Sequence, residues 1–300
     1  MVIMLRARGS VVKLAISNVL VNAMEIVTDQ FAEIDGFELR FRQYGKADAP
    51  LAVIGHGIFA SLAQYADHPE ALDVLSDRYR ILLYDARGHG ESEGPDKPEG
   101  YSWQKFGEDM LALAGEVGGE RPILGGASMS AAAALWIAIE RPRVARALVL
   151  IAPPPLGPRE TRDQAEMEAL RMLASLGTAI ESFGLSGTAD MVAKMPALAE
   201  AGSVRGMEML RSQNPRTIGP IIRGLQEHRS RSTAEYASIE IPVVVFAHPD
   251  DPLHPIRSAK LLAEHIPDCR LHIGPERNFW QENPQKLARE IVSFLDSLPN

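Results

Sequence analysis

Short apolar runs alternate with amphipathic stretches along most of this chain. Residues 25–34 and 37–44 each alternate apolar and polar positions, and Asp35-Gly36 between them predicts a tight β-hairpin. Apolar runs follow at 51–54, 80–84, 123–126, 147–151, 241–247 and 270–273. Strands of that kind, apolar on both faces, belong in the interior of a parallel sheet. Between them, 69–76, 101–117, 130–140 and 255–265 carry helical periodicity. Pro284 opens a last helix, 284–298, with Leu287, Ile291, Phe294 and Leu295 at helical spacing. Strands alternating with helices predict the α/β class: an eight-stranded, mostly parallel sheet with helices on both faces.

The alternation stops between residues 156 and 240, where helix follows helix at 159–176, 188–198, 203–212 and 216–228. An all-helical block between two strands predicts a cap laid over the core. It holds Met167, Met172, Met191, Met195, Met207 and Met209, six of the 11 methionines. Flexible thioethers suit an adaptable apolar pocket, and they equally fill the interior of a small helical lid. The expected organisation is an N-terminal extension at 1–23, a core at 24–155 and 241–300, and a cap at 156–240.

Length and composition bound the function. Three hundred residues suffice for one large domain with an insertion. A net charge of −8 gives no electrostatic footprint for nucleic acid and disfavours anionic membranes. Cys269 is the only cysteine, which excludes an intrachain disulfide and a thiolate zinc site. No apolar run has the roughly 20 residues that span a bilayer. Arg6, Arg8 and Lys13 are the only charges before Glu25. That segment reads as a poorly ordered extension, or as sequence upstream of a true start at Met24, more readily than as a targeting peptide. The expectation is a cytoplasmic protein, monomer or homodimer, acting on a small acyl compound with no cofactor or metal and no nucleic-acid or membrane partner.

Four motifs stand out. An apolar strand runs into Gly126-Ala-Ser-Met-Ser130 and straight on into an alanine-rich helix. A sharp strand-to-helix turn needs small neighbours and presents Ser128 at a helix N-terminus, where exposed N–H groups favour developing negative charge. After the third strand stands Gly55-His-Gly-Ile-Phe59, and after the fourth, Asp85-Ala-Arg-Gly-His-Gly-Glu-Ser92. His248-Pro-Asp-Asp-Pro-Leu-His-Pro255 closes the seventh.

Together these motifs resemble the α/β-hydrolase superfamily over roughly residues 24–299, and most closely its lidded esterase, haloperoxidase-like and meta-cleavage C–C hydrolase members. The resemblance implies that Ser128 is the nucleophile and that the N–H groups of Ile58 and Met129 form the oxyanion hole. Ser130 replaces the last glycine of the family's G-x-S-x-G pattern. The resemblance also makes the 85–92 loop structural, which leaves His89 without a catalytic part, and makes Asp109 a packing residue. Counting back from Pro255 puts Asp251, rather than Asp250, in the acid position. Relatives with an aspartate at the elbow, the dehalogenases and epoxide hydrolases, are disfavoured by Ser128.

The same pattern puts the histidine after the last strand, before an aromatic and Glu-x-Pro. Here that stretch is Gly274-Pro-Glu-Arg-Asn-Phe-Trp-Gln-Glu-Asn-Pro284, with Asn278 at the histidine position, or Arg277 if the register slips by one. An amide does not titrate and cannot take the serine proton. Four readings follow: another histidine serves as base, with His254, His272 and His56 the candidates; Asn278 is a trapping substitution in an active hydrolase; Asn278 supports weaker or different chemistry; or the chain is a silent ligand-binding protein. The expected activity is hydrolysis of a small to mid-sized apolar ester, lactone or related acyl compound.

Overall fold

Asp35 and Gly36 both take positive φ, 52° and 79°. That is the turn whose twist matches two antiparallel strands, and it joins Gln30–Ile34 (β3) to Phe37–Tyr44 (β4). The computed structural model describes residues 2–7, 10–15, 28–194, 204–226 and 231–299. Ahead of this hairpin, Val2–Ala7 (β1) and Ser10–Ala15 (β2) pair antiparallel as a separate ribbon. They occupy part of the stretch expected to be a poorly ordered extension, the rest of which lies outside the described residues, as does Met195.

The main sheet continues through Leu51–Gly55 (β5), Arg80–Tyr84 (β6), Ile123–Ala127 (β7), Ala147–Ile151 (β8), Val243–Ala247 (β9) and Cys269–Ile273 (β10). Its eight strands run β10-β9-β8-β7-β5-β6-β4-β3. β3, β4 and β6 pair antiparallel and the rest parallel. β5, β8 and β9 are buried along their whole length, as unbroken apolar runs require. The parallel strands β5 and β7 to β10 point their C-terminal ends the same way, so the loops after them gather at one edge, where α/β sheets place their sites. Helices Trp103–Glu116, Met129–Glu140 and Ile256–His265 border one apolar layer, and Pro69–Ser76 and Pro284–Asp296 pack together over the other.

Between β8 and β9 stand Gln164–Val192, Val204–Arg211, Ile218–Gln226 and Thr233–Ala237, with no strand among the described residues. The first is longer than the helix expected at 159–176 and breaks at Gly184, where φ is 69° and ψ 175°. Polar side chains fasten this helical insertion to the core. Gln213 Nε2 donates to Phe59 O at 2.9 Å and Thr217 Oγ1 to Gly88 O at 2.6 Å. Arg257 forms a forked pair with the buried Glu166 at 2.9 and 2.6 Å, holding the long helix against the helix Ile256–His265.

Candidate active site

Ser128 sits at φ 49° and ψ −105°, between β7 and the helix Met129–Glu140. A non-glycine residue held there stores about 1–3 kcal/mol of strain, and such strain collects at functional sites. The turn is fixed on both sides: Ser128 N–H donates to Ile151 O at 2.9 Å and Ala132 N–H to Ser128 O at 3.1 Å. It also requires glycine just before it. A Cβ on Gly126, at φ 144°, would stand 2.0 Å from Gly55 O, so strands β5 and β7 close here only around a bare Cα.

Ser130, where the family pattern has glycine, is buried and donates its hydroxyl to His56 O at 2.7 Å. The bond ties the start of the helix to the loop after β5. A Cβ on Gly57 would lie 3.6 Å from Ser128 Cβ, so the 56–59 segment runs beside the serine as expected. Gly57, Ile58, Ser128 and Met129 all line one cavity of about 600 Å³. Met129 opens its helix, so its N–H has no acceptor within that helix.

His254 stands between Ser128 and Asp251. Its Nε2 lies 2.8 Å from Ser128 Oγ and its Nδ1 2.8 Å from Asp251 Oδ2. Asp251 and His254 share one turn, closed by His254 N–H donating to Asp251 O at 3.1 Å, with Pro252 at the second position where its fixed φ belongs. Burial alone would raise the Asp251 carboxyl. The bond and charge of His254, the Leu253 N–H at 3.0 Å and the charge of Arg277 outweigh it and hold the group at about 2. An ionised carboxylate only accepts, so Nδ1 carries the proton and Nε2 presents its lone pair to the serine hydroxyl. Asp250, at φ 60°, forms the corner beside it.

The expected histidine position holds Asn278, yet the imidazole between Ser128 and Asp251 is that of His254. Asn278 is a left-handed residue, φ 59°, at the start of the helical turn Phe279–Glu282, and its carbonyl accepts from Glu282 N–H at 3.0 Å. It is not among the described residues lining the cavity; Leu253, His254 and Gln281 are. The imidazole that faces Ser128 comes from the loop after β9, not from the loop after β10. The latter is occupied instead with packing: Gly274 N–H and Trp280 Nε1–H both donate to Ala247 O at 2.8 Å.

Of the three candidate bases, His56 and His272 stand apart from the serine. His56 accepts from Ala86 N–H at 3.0 Å on Nε2 and donates from Nδ1 to Gly57 O at 2.8 Å. His272, on the outermost strand, stacks on Phe246 at 5.0 Å. His89 is buried beside His56 and donates from Nε2 to Ile58 O at 2.8 Å, steadying the loop that carries Ile58. Burial pulls His56 down from 6.5 to about 4 and His89 to about 3, so both are neutral props. The 85–92 loop is structural in the expected way: Asp85 accepts from Leu62 N–H at 2.8 Å and Glu91 N–H at 2.9 Å. Asp109 grips Arg87 through two bonds of 2.6 and 2.5 Å.

Sequence reasoning missed the Ser130 bond to His56 and the Gln213 clamp on Phe59. Both join residues far apart in the chain, so neither leaves a local signal.

Residues 50–279 match the family described as the alpha/beta hydrolase fold. The chain is 24% identical to 3-oxoadipate enol-lactonase 2 of Acinetobacter baylyi over 86% of its own length and 92% of that protein's. It is 26% identical to a putative carbamate hydrolase, RutD, of Pseudomonas savastanoi pv. phaseolicola over 84% of its length and 95% of the relative's. Among solved structures, a hydrolase from Pseudomonas aeruginosa PA01 superposes with a TM-score of 0.72 at 26% identity, covering 92% of this chain and all of that one. No helix among the described residues is long and apolar enough to cross a membrane. With the sheet order, the strained serine and this family match in hand, the chain belongs to the α/β-hydrolase family.

Proposed function

We propose that the chain is a serine-nucleophile hydrolase of a small to mid-sized ester, lactone or related acyl compound, with Ser128, His254 and Asp251 as its catalytic residues. The observation that carries this reading is the pair of 2.8 Å bonds that place one imidazole between Ser128 Oγ and Asp251 Oδ2. A silent binding protein has no use for that relay.

The steps follow from the geometry. Ser128 Oγ attacks the substrate carbonyl carbon while His254 Nε2 takes the hydroxyl proton. The resulting oxyanion is held by the N–H groups of Ile58 and Met129. Asp251 keeps the proton on Nδ1 and stabilises the imidazolium. Collapse breaks the ester bond, the leaving oxygen takes the proton from His254 Nε2, and an acyl-Ser128 ester remains. Water then gives its proton to His254 as it attacks, and the second collapse releases the acid and returns the proton to Ser128. The helical insertion covers the site and limits water to what this second step needs.

The enol-lactonase and carbamate-hydrolase relatives support acyl chemistry of this kind. A fluorophosphonate probe tests the reading directly. We expect one equivalent of label on Ser128, hydrolysis of p-nitrophenyl butyrate, and loss of both in Ser128→Ala. An unlabelled Ser128 in the folded protein would overturn it.

A further inference from the structure

The chain is acidic, with 39 Asp and Glu against 31 Lys and Arg, yet its candidate active-site cavity has the opposite balance. Four arginines, 159, 162, 171 and 231, line it, and no Asp or Glu does among the described residues. The charge of Arg231 is already paired: it lies over the Trp136 ring at 3.5 Å and bridges to Glu140 and, at 2.6 Å, to Glu235. The other three line the same cavity and come from the first part of the helical insertion. Arg159 belongs to the turn Arg159–Thr161, Arg162 follows it, and Arg171 is on the long helix. Met167, Leu170, Arg171 and Ala174 all line the cavity, and their spacing of three and four residues puts them on one helix face.

Arg159 and Arg171 are exposed at the cavity rim and form no ion pair among the described residues. Arg162 is half-buried, and its Nη2 donates to Pro155 O at 3.4 Å. Burial and the charges of Arg159 and Arg257 lower its pKa below the usual guanidinium value, against the pull of Glu166. Positive charge concentrated in a cleft with low-dielectric walls attracts and orients an anion. Guanidinium groups match a carboxylate with paired hydrogen bonds. Much of the remaining wall is apolar, including Ile58, Leu135, Leu156, Leu170 and Leu225.

We propose that the substrate carries a carboxylate at the end remote from the scissile acyl group, and that Arg159, Arg162 and Arg171 bind it. The preferred compound is then a half-ester of a dicarboxylic acid or a carboxylate-bearing lactone, with an apolar spacer lying along the cavity toward Ser128. This inference rests on the hydrolase reading for the chemistry at Ser128, while the anion site stands on the arginines alone.

The test compares two esters of equal chain length, p-nitrophenyl hexanoate and the mono-p-nitrophenyl ester of adipic acid, at low ionic strength. We expect kcat/KM to favour the adipate ester by about tenfold or more, the scale of a single charge-assisted hydrogen bond. The preference shrinks in 0.5 M salt and falls by about tenfold in Arg159→Gln/Arg171→Gln, whose positions are exposed and tolerant, and in Arg162→Gln. A ratio at or below one, or a preference unchanged in both variants, overturns the inference. Free adipate binding, read by the fluorescence of Trp103 and Trp136 in the cavity wall, separates this result from failure of the hydrolase reading. If neither ester turns over, adipate binding that weakens in the arginine variants still supports the anion site. Absence of adipate binding in every form overturns it.

Discussion

Asp251 and His254 lie three residues apart on one turn, and the 2.8 Å bond between Asp251 Oδ2 and His254 Nδ1 sets the tautomer that faces Ser128. The two side chains therefore sit as a unit on the loop after β9, with Pro252 inside the turn and Pro255 just after it to stiffen it.

Asp251 and its neighbour Asp250 should separate cleanly. In Asp251→Asn the amide reverses the hydrogen bond that fixes the imidazole, and we expect kcat to fall by on the order of 10⁴ with the fold retained. Asp250→Asn keeps a residue type that tolerates left-handed backbone and should leave kcat nearly unchanged. Steady-state kinetics on p-nitrophenyl butyrate check both. An equal loss in the two variants would contradict the assignment of Asp251.

The two buried histidines give a pH signature in stability. His56 and His89 are held neutral by burial, lowered from 6.5 to about 4 and about 3. In the unfolded chain both take a proton near their ordinary value. Between about pH 6.5 and 4 the unfolded state binds more protons, so the stabilisation is complete above 6.5 and is lost as the pH falls through that window. For His56 alone the difference between 6.5 and about 4 amounts to roughly 3 kcal/mol. Urea unfolding at pH 7, 5.5 and 4.5 should show the midpoint falling steadily. A flat profile would mean that these rings are not neutral props.

Arg87 and Asp109 are buried and joined by two short bonds, with no contact to Ser128. Asp109→Ala leaves a buried guanidinium with only the 3.4 Å contacts to Asp35 and Gly100 O among the described residues and should cost about 3 kcal/mol. Thermal unfolding reads the loss, and whatever folds should keep its kcat. A variant of normal stability and low kcat would make Asp109 part of the chemistry instead.

Much of this was legible in the chain. The strands β4, β6 and β8 match their expected bounds end to end, β4 through its alternation and β6 and β8 through apolar runs that burial on both faces requires. The cap helices were harder. Residues 177–187 hold three glycines and two serines, which by propensity interrupt a helix, yet Gln164–Val192 runs on through them to Gly184 and beyond. Tertiary packing decides here. A Cβ on Gly177 would stand 3.2 Å from Ile222 Cγ2, so the bare Cα is what lets two cap helices cross closely. At the site, Ser128 and Asp251 were readable from local motifs. His254 was weighed only as a substitute, since the family pattern draws the eye to the loop after β10. The signal was present all the same: a four-residue turn brings its first and last residues within about 7 Å, so Asp-Pro-Leu-His places an imidazole beside its carboxylate. The arginines of the cavity were invisible, because only the fold gathers them.

The central claim is that the base is His254 and that position 278 is a bystander. The measurement that tests it most directly is kcat on p-nitrophenyl butyrate for His254→Asn, Asn278→His and the two combined. Loss of the base should lower kcat by on the order of 10⁴–10⁶. Asn278→His alone should give no gain, and the double variant should stay at the His254→Asn level. Recovery of activity in the double variant, or a gain of several orders of magnitude from Asn278→His alone, would contradict the account.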